Sequence, residues 1–123
     1  MAFHNDLGKE AEDLAVQYLL DKGYKIVKRN FRYQKSEIDI IAETNLYIVI
    51  IEVKARSTDF FIEPYEAVTK SKIKHIITAT NHYLESINTT KEIRFDIISI
   101  LKTSNNQFNI QHLENAFESF DAN

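Results

Sequence analysis

Cysteine and tryptophan are absent from this sequence of 123 residues, which also has only two glycines and one proline. Without cysteine the chain has no disulfides, thiolate zinc sites or cysteine nucleophiles, which fits a reducing compartment. Two glycines are too few for a glycine-rich loop that cradles phosphates. The longest apolar run, residues 46–51, is far too short to cross a bilayer, and the first residues do not resemble an export signal. We therefore expect a cytoplasmic protein that does not enter a membrane.

The length and composition of the chain indicate an ordinary globular fold. Hydrophobic residues make up 44% of the sequence and charged residues 27%, both close to globular averages. A chain of this length has room for one sizeable core but not for two. We expect a single domain over residues 1–123.

Positive charge is concentrated in the middle of the chain. The net charge is −3, which by itself disfavours a nucleic-acid partner, because affinity for phosphate backbones rests on lysine and arginine. However, 11 of the 15 Lys and Arg residues fall between Lys22 and Lys74, and none follows Lys102. An acidic chain can still present one basic face. The alternative is that these charges are scattered over solvated surfaces.

Two segments show the periodicity of amphipathic helices. The first helix should begin near Asn5 or Asp6, either of which can cap it, and end at Gly23. The second should have Pro64 in its first turn and run to about Ser86. The residues that follow the helical period and should face the core are Leu7, Ala11, Leu14, Ala15, Tyr18 and Leu19 in the first helix, and Val68, Ile76, Ile77, Tyr83 and Leu84 in the second.

Five segments have the pattern of β-strands, and the second and third should form a hairpin that turns at residues 43–45. The predicted strands are residues 24–27, 37–42, 46–54, 93–101 and 108–112. The third is apolar without alternation, which is typical of a central strand covered on both faces. A hairpin followed by a helical crossover favours an α/β fold with a mixed sheet flanked by helices.

Acidic residues on the two hairpin strands form a candidate metal site. Residues two apart on a strand share a face, which pairs Glu37 with Asp39 and Glu52 with Lys54. The hairpin brings Asp39 roughly opposite Ile51 or Glu52, at about 4.5–5.5 Å between Cβ atoms. Two partly desolvated carboxylates at that distance repel each other and need a cation. Mg²⁺ prefers oxygen ligands, often one or two carboxylates.

Such a site suits phosphodiester hydrolysis. A metal held by Asp39 and Glu52 can activate water, and Lys54 can orient that water or offset charge in the transition state. Glu12 lies at the edge of the first helix's buried stripe and could approach as an outer ligand. Glu37 could extend the acidic site, although no step is assigned to it. The alternative is that Glu-x-Lys is a chance surface ion pair.

The residues that carry this chemistry also resemble a known family. The sequence is similar to the YraN family of small bacterial proteins over nearly its whole length, in the segments Gly8-Lys9-Glu10-Ala11-Glu12-Asp13-Leu14-Ala15, Gly23-Tyr24, Arg29-Asn30-Phe31-Arg32, Glu37-Ile38-Asp39, Glu52-Val53-Lys54-Ala55-Arg56, Pro64-Tyr65-Glu66-Ala67-Val68, Arg94-Phe95-Asp96 and His112-Leu113-Glu114-Asn115-Ala116-Phe117. That family in turn resembles the restriction-endonuclease-like PD-(D/E)xK superfamily, especially the archaeal Holliday junction resolvases.

The resemblance implies a restriction-endonuclease-like αβββαβ core and an endonuclease that uses Mg²⁺ or Mn²⁺ on DNA, with branched DNA in recombination or repair as a candidate substrate. It places Asp39, Glu52 and Lys54 at the superfamily's catalytic positions, Glu12 at the helix-borne glutamate of the resolvases, and the Val53 carbonyl among the metal ligands. Resolvase relatives suggest a homodimer by analogy. The alternatives are a non-catalytic nucleic-acid-binding module with this fold, or a structural adaptor that binds a protein.

Residues outside the acidic site are candidates for nucleic-acid contacts or for structural roles. The candidate phosphate contacts are Arg29, Arg32, Arg56, Lys70 and Lys72, of which Arg56 and Lys72 match family positions. Phe60 and Phe61 could stack on splayed bases or cover the core. Arg94 and Asp96 share a strand face and are interpreted as a structural ion pair. The four histidines lack zinc-ligand spacing and are interpreted as structural or solvated.

Overall fold

The computed structural model of this protein describes residues 3–57 and 68–122. Helices and strands follow one another in the order α-β-β-β-α-β-β. The elements are α1 (Phe3–Asp21), β1 (Lys25–Tyr33), β2 (Ser36–Glu43), β3 (Tyr47–Ser57), α2 (Lys70–Glu85), β4 (Glu92–Lys102), β5 (Phe108–Phe117) and a terminal 3₁₀ helix (Ser119–Ala122).

The five strands form one mixed sheet in the order β1-β2-β3-β4-β5. The pairs β1/β2, β2/β3 and β4/β5 are antiparallel, whereas β3 and β4 are parallel, as a helical crossover requires. The predicted α/β class is therefore confirmed, and the first six elements follow the αβββαβ order of the restriction-endonuclease-like core.

The two helices cover opposite faces of the sheet. Ala11, Ala15 and Leu19 of α1 are fully buried, one helical turn apart, in agreement with the predicted stripe. They pack on a cluster that includes Ile40 and Ile51. The α2 side holds the second cluster, whose helical members are Ile73, Ile76, Ala79 and Tyr83. Both faces of the sheet are thus closed by apolar side chains, which leaves the strand ends and edges for polar groups.

β3 is the central strand, as its unbroken apolar run predicts. It pairs with β4 over its whole length, from Tyr47 to Ser57, and with β2 on its other side. Leu46 is the exception, because it is 71% exposed and precedes the strand. The Thr44 hydroxyl accepts hydrogen bonds from the amides of Leu46 and Tyr47, so the turn continues through Leu46.

The predicted helix starts were wrong in both cases. α1 already includes Asn5 and Asp6, so neither residue caps it. α2 begins at Lys70, because Thr69 has an extended backbone and its hydroxyl accepts a hydrogen bond from the Lys72 amide at 3.1 Å. Pro64 itself lies outside the described residues. Gly23 is confirmed as the stop of α1: the helix ends at Asp21, and Gly23, two residues later, has the left-handed φ of 90° that favours glycine.

Several strands are longer than predicted, most clearly β1 and β5 at the two edges of the sheet. Edge strands contact one neighbour and expose polar side chains, so the alternation that marks half-buried strands is weak in residues 28–33 and 113–117. The longer β1 places Arg29 and Arg32 on a strand. Within the described parts of the chain, neither helix is long and apolar enough to cross a membrane.

Candidate metal site

Asp39 and Glu52 meet at the end of the β2/β3 ladder. The last regular pair is Ile40 with Ile51, and continuing this antiparallel register by one residue sets Asp39 opposite Glu52. Beyond that pair, Asp39 Oδ2 accepts a hydrogen bond from the Val53 amide at 2.8 Å. The predicted hairpin register is therefore confirmed.

Side-chain alternation in β2 breaks at Asp39. Ile38 belongs to the core under α2, while Ile40, two residues later, belongs to the core under α1. Regular alternation would place both on one face. Asp39 thus lies where the strand changes face, so it lines a groove on the α1 side and also interacts with Glu52. Because of this break, the Asp39 carboxylate can both line the groove on the α1 side and interact with Glu52.

The Asp39 carboxyl group is strongly perturbed. Burial, followed by the negative charge of Glu52, raises its pKa to about 7. Glu52 also accepts a hydrogen bond from the protonated form, whereas the Val53 amide and the charge of Lys72 act in the opposite direction and lower the pKa. A carboxyl group that retains its proton near neutrality is one for which the protein's own cations do not fully compensate.

Glu52 is the more buried acid of the pair, with 4% of its side chain exposed. Its Oε2 lies 3.4 Å from Lys54 Nζ and 3.6 Å from Lys72 Nζ. Its Oε1 is buried and has no hydrogen-bond partner within the described residues. A buried carboxylate oxygen without a partner is costly, and the Glu52 side chain also interacts with the Asp39 carboxyl group. These oxygens fit a divalent cation, which prefers oxygen ligands and partial coordination by water.

Glu12 reaches the sheet edge as predicted, but its carboxylate is held by other partners. Its Oε1 lies 2.8 Å from Arg29 Nη2 and accepts a hydrogen bond from Asn30 at 3.0 Å. Arg29 also pairs with Asp13 at 2.6 Å. Two residues to which the sequence assigned separate roles, Glu12 and Arg29, are therefore partners of each other.

A groove of about 430 Å³ connects Glu12 to Asp39. The side chains and backbone that line it come from α1 and from β1, β2 and β3: Gly8, Lys9, Glu12, Asn30, Glu37, Asp39, Val53 and Ala55. In residues 3–57 and 68–122, no three His, Asp or Glu side chains converge closely enough to hold a metal ion together. Asp39 and Glu52 form a pair, with Glu12 and Glu37 further along the groove.

The candidate phosphate contacts occupy different surroundings. Arg32 lies 3.4 Å from Glu37, and Arg29 pairs with Glu12. Lys70 is exposed at the first turn of α2, and Arg56 is half-buried near the end of β3. Phe60 and Phe61 lie outside the described residues.

Lys72 is the residue whose location sequence reasoning missed. It was predicted as a phosphate contact, yet it lies near the same Glu52 oxygen as Lys54. The sequence contained little indication of this contact, because α2 begins with three alternate lysines and nothing in the pattern shows which of them faces the sheet. The contact depends on how α2 packs, which periodicity does not fix to within one residue.

The Arg94–Asp96 pair is structural, as predicted, and larger than predicted. Asp96 is fully buried and accepts hydrogen bonds from Arg94 at 2.8 and 3.0 Å. His112 Nε2 lies 2.7 Å from the same carboxylate, and His112 Nδ1 lies 3.1 Å from the Tyr18 hydroxyl. Burial acts to raise the pKa of Asp96, but the hydrogen bonds from His112 and Arg94 outweigh burial and keep the pKa below its usual value. The network ties β4 and β5 to α1.

The fold is a restriction-endonuclease-like α/β fold, and it brings two acids and a lysine together where the β2/β3 ladder ends. Comparison with known proteins agrees with the resemblance seen in the sequence. The model of Uncharacterised protein family UPF0102 matches residues 11–100, and the chain belongs to this family, the one with the YraN proteins.

Relatives from several bacteria match nearly the whole chain. A UPF0102 protein of Flavobacterium psychrophilum is 48% identical over 98% of this chain and 100% of its own length. A UPF0102 protein of Christiangramia forsetii is 45% identical with the same coverage of both chains. A third, from Thermodesulfovibrio yellowstonii, is 45% identical over 91% of this chain and 96% of its own.

Proposed function

We propose that this protein is a nuclease that hydrolyses phosphodiester bonds in DNA with the help of Mg²⁺ or Mn²⁺. The observation that carries the proposal is the pair of half-buried Asp39 and buried Glu52, in which Glu52 Oε1 has no partner among the described residues. A protein that only binds DNA has no need for two mutually repelling carboxylates, which cost stability unless a cation joins them.

The residues of the chain would divide the work as follows. Asp39 and Glu52 would hold the metal, and the Val53 carbonyl is a further candidate ligand. When bound, the metal would activate a water molecule and stabilise charge on the phosphate. Lys54, 3.4 Å from Glu52, would orient the attacking water or offset charge that develops on phosphate oxygens.

Two neighbouring groups would tune this site. Lys72, whose Nζ lies 3.6 Å from Glu52 Oε2, offsets the charge of Glu52. Glu12, held by Arg29 and Asn30, would act through the groove as an outer ligand by way of water. We extend the proposal to branched DNA as substrate and to a homodimer, by analogy with the resolvases that the sequence resembles.

The direct test is a cleavage assay with pure protein. Linear, forked and four-way-junction DNA would each be incubated with Mg²⁺, with Mn²⁺ and with chelator alone, alongside the variants Asp39→Asn and Asp21→Asn. Asp21 is an exposed carboxylate on α1 whose partner is Gln17, which makes it a matched control. We expect cleavage that requires metal and Asp39 but not Asp21. If the protein binds DNA but cleaves it with neither metal, the nuclease proposal fails and a non-catalytic DNA-binding module takes its place. If it neither binds nor cleaves DNA, the structural adaptor is the remaining candidate.

A further inference from the structure

A second groove, of about 530 Å³, lies between the β1–β2 turn and α2. It is lined by Gln34, Lys35 and Ser36 from the turn and by Lys74, His75 and Thr78 from α2. It shares β2 and α2 with the acidic pair: Ser36 precedes Glu37 and Asp39 in β2, and Lys74 follows Lys72 by two residues. The groove is therefore built on two of the elements that carry the candidate metal site.

The charge of this groove has one sign. Its lining includes two lysines and no carboxylate, whereas the groove beside Asp39 contains three carboxylates. Lys35 and Lys74 are exposed, and neither lies within ion-pair distance of any described Asp or Glu. α2 adds to the effect, because it carries no acidic residue before Glu85.

The walls of the groove are held in place by aromatic contacts. The Tyr33 ring stacks on His82 with centroids 3.8 Å apart and planes 17° from parallel. Phe31 meets Tyr83 edge-on at 5.6 Å. These contacts fix the β1–β2 turn against α2, so that Lys35 and Lys74 face one space before any ligand arrives. A preformed site loses less conformational entropy on binding.

The hydrogen-bonding groups that remain suit a phosphate. The Thr78 hydroxyl already donates to the Lys74 carbonyl at 3.0 Å, and the Gln34 amide group donates to the Tyr33 hydroxyl at 3.3 Å. The donors left for a ligand include the two lysine ammonium groups, the His75 ring and the Ser36 hydroxyl, all of which suit phosphate oxygens. The lining contains no carboxylate that would attract a cation.

We infer that this groove, the Lys35–Lys74 groove, binds the phosphodiester backbone of DNA next to the acidic pair. The inference rests on the proposed function in one respect, that DNA is the partner, and it adds the direction in which the strand leaves the site: past the β1–β2 turn and along α2. The contacts are made to the backbone and not to bases, so binding there does not depend on sequence.

The test measures DNA binding in chelator, where cleavage plays no part. Wild type would be compared with Lys35→Gln/Lys74→Gln and with a control, Lys22→Gln/Lys25→Gln, by fluorescence anisotropy of a short labelled duplex across a range of KCl concentrations. Lys22 and Lys25 are exposed and lack described carboxylate partners, but they lie where α1 ends and β1 begins. Both double variants remove two positive charges, which separates local contact from net charge.

We expect the Lys35/Lys74 variant to bind DNA more weakly and with a weaker salt dependence. The negative slope of log K against log salt should become shallower by about 2, since each lost phosphate contact reduces its magnitude by about 0.9. The control should keep the wild-type slope. Equal losses in both variants, or a wild-type slope in the Lys35/Lys74 variant, would overturn the inference, as would wild-type protein that binds no DNA. Binding that follows the expected pattern without cleavage in Mg²⁺ or Mn²⁺ would overturn only the proposed nuclease.

Discussion

Asp39 Oδ2 accepts a hydrogen bond from the backbone amide of Val53, 2.8 Å away. Through this contact a side chain of β2 occupies an amide of β3 just beyond the last regular pair of the ladder. The amide holds the carboxyl group next to Glu52, although the two acids repel each other. The geometry of the candidate metal site is thus built into the backbone of the hairpin and does not rely on flexible side chains alone.

The stability of the metal-free protein should fall as the pH rises through neutrality. The pKa of Asp39 is about 7 in the folded protein, chiefly because of burial, against 3.8 as its ordinary value. The folded state therefore binds the proton more tightly, and its advantage is lost between about pH 4 and pH 7. Thermal unfolding in chelator from pH 5 to pH 8 should show a falling Tm for wild type and for Asp21→Asn. Asp39→Asn should flatten the profile, and an unchanged profile in that variant would assign the dependence to other groups.

Divalent metal should protect the folded protein through the same pair. A ligand that binds only the folded state stabilises it by about 2.7 kcal/mol at 100 times its dissociation constant. Mn²⁺ should therefore raise the Tm of wild type and of Asp21→Asn, but not that of Asp39→Asn or Glu52→Gln. The readout requires no substrate. If Mn²⁺ raised the Tm of both site variants as much as that of wild type, the metal would bind elsewhere on the protein.

The two lysines beside Glu52 should affect different properties: Lys54 the rate of cleavage, and Lys72 the affinity for the metal. Lys54→Met should lower kcat by about 10²–10³, the usual cost of removing one group that stabilises transition-state charge. Lys72→Met removes a cation that competes for Glu52, so it should tighten Mn²⁺ binding on the order of tenfold. Titration calorimetry with Mn²⁺ measures the second effect, and Lys72→Arg should restore wild-type affinity. Unaltered Mn²⁺ affinity in Lys72→Met would show that Lys72 does not act on the acidic pair.

Glu12 should contribute less to the cleavage rate than Asp39, because Arg29 and Asn30 hold its carboxylate in the groove. We expect Glu12→Gln to lower the cleavage rate by about 10–100-fold, as outer-shell partners of metal ligands do. Asp13→Asn is the matched control, since Asp13 also pairs with Arg29 but does not line the groove. Single-turnover rates for both variants would test this, and similar losses in the two would point to Arg29 and not to Glu12.

The buried network around Asp96 should carry stability and not chemistry. Asp96→Asn leaves Arg94, with only 12% of its side chain exposed, without its charged partner. Breaking a buried pair in this way costs about 3–5 kcal/mol. Glu114→Gln is the control, because Glu114 also lies near Arg94, at 3.5 Å, but is 61% exposed and should contribute about 1 kcal/mol or less. Urea unfolding at neutral pH would compare the two, and equal effects would contradict a buried role for Asp96.

Periodicity predicted the parts of the fold that are buried on one defined face. The apolar run of β3 predicted a central strand, and the spacing of Ala11, Ala15 and Leu19 predicted the buried face of α1. The edges were predicted poorly, because exposed strands such as β1 carry polar residues that hide their pattern. The start of α2 was wrong because a proline in the preceding segment suggested a first helical turn, whereas the helix is capped by the hydroxyl of Thr69, which accepts a hydrogen bond from the Lys72 amide.

The sequence by itself determined the residues of the candidate site and the hairpin that joins them, because strand register follows from a short turn and an apolar pattern. Only the tertiary structure decided that Asp39 lies at a break in alternation, that Lys72 reaches Glu52, and that Arg29 holds Glu12. These contacts join residues from elements far apart in the chain. Their distances depend on how helices pack on the sheet, a balance of many small apolar contacts that no local pattern records.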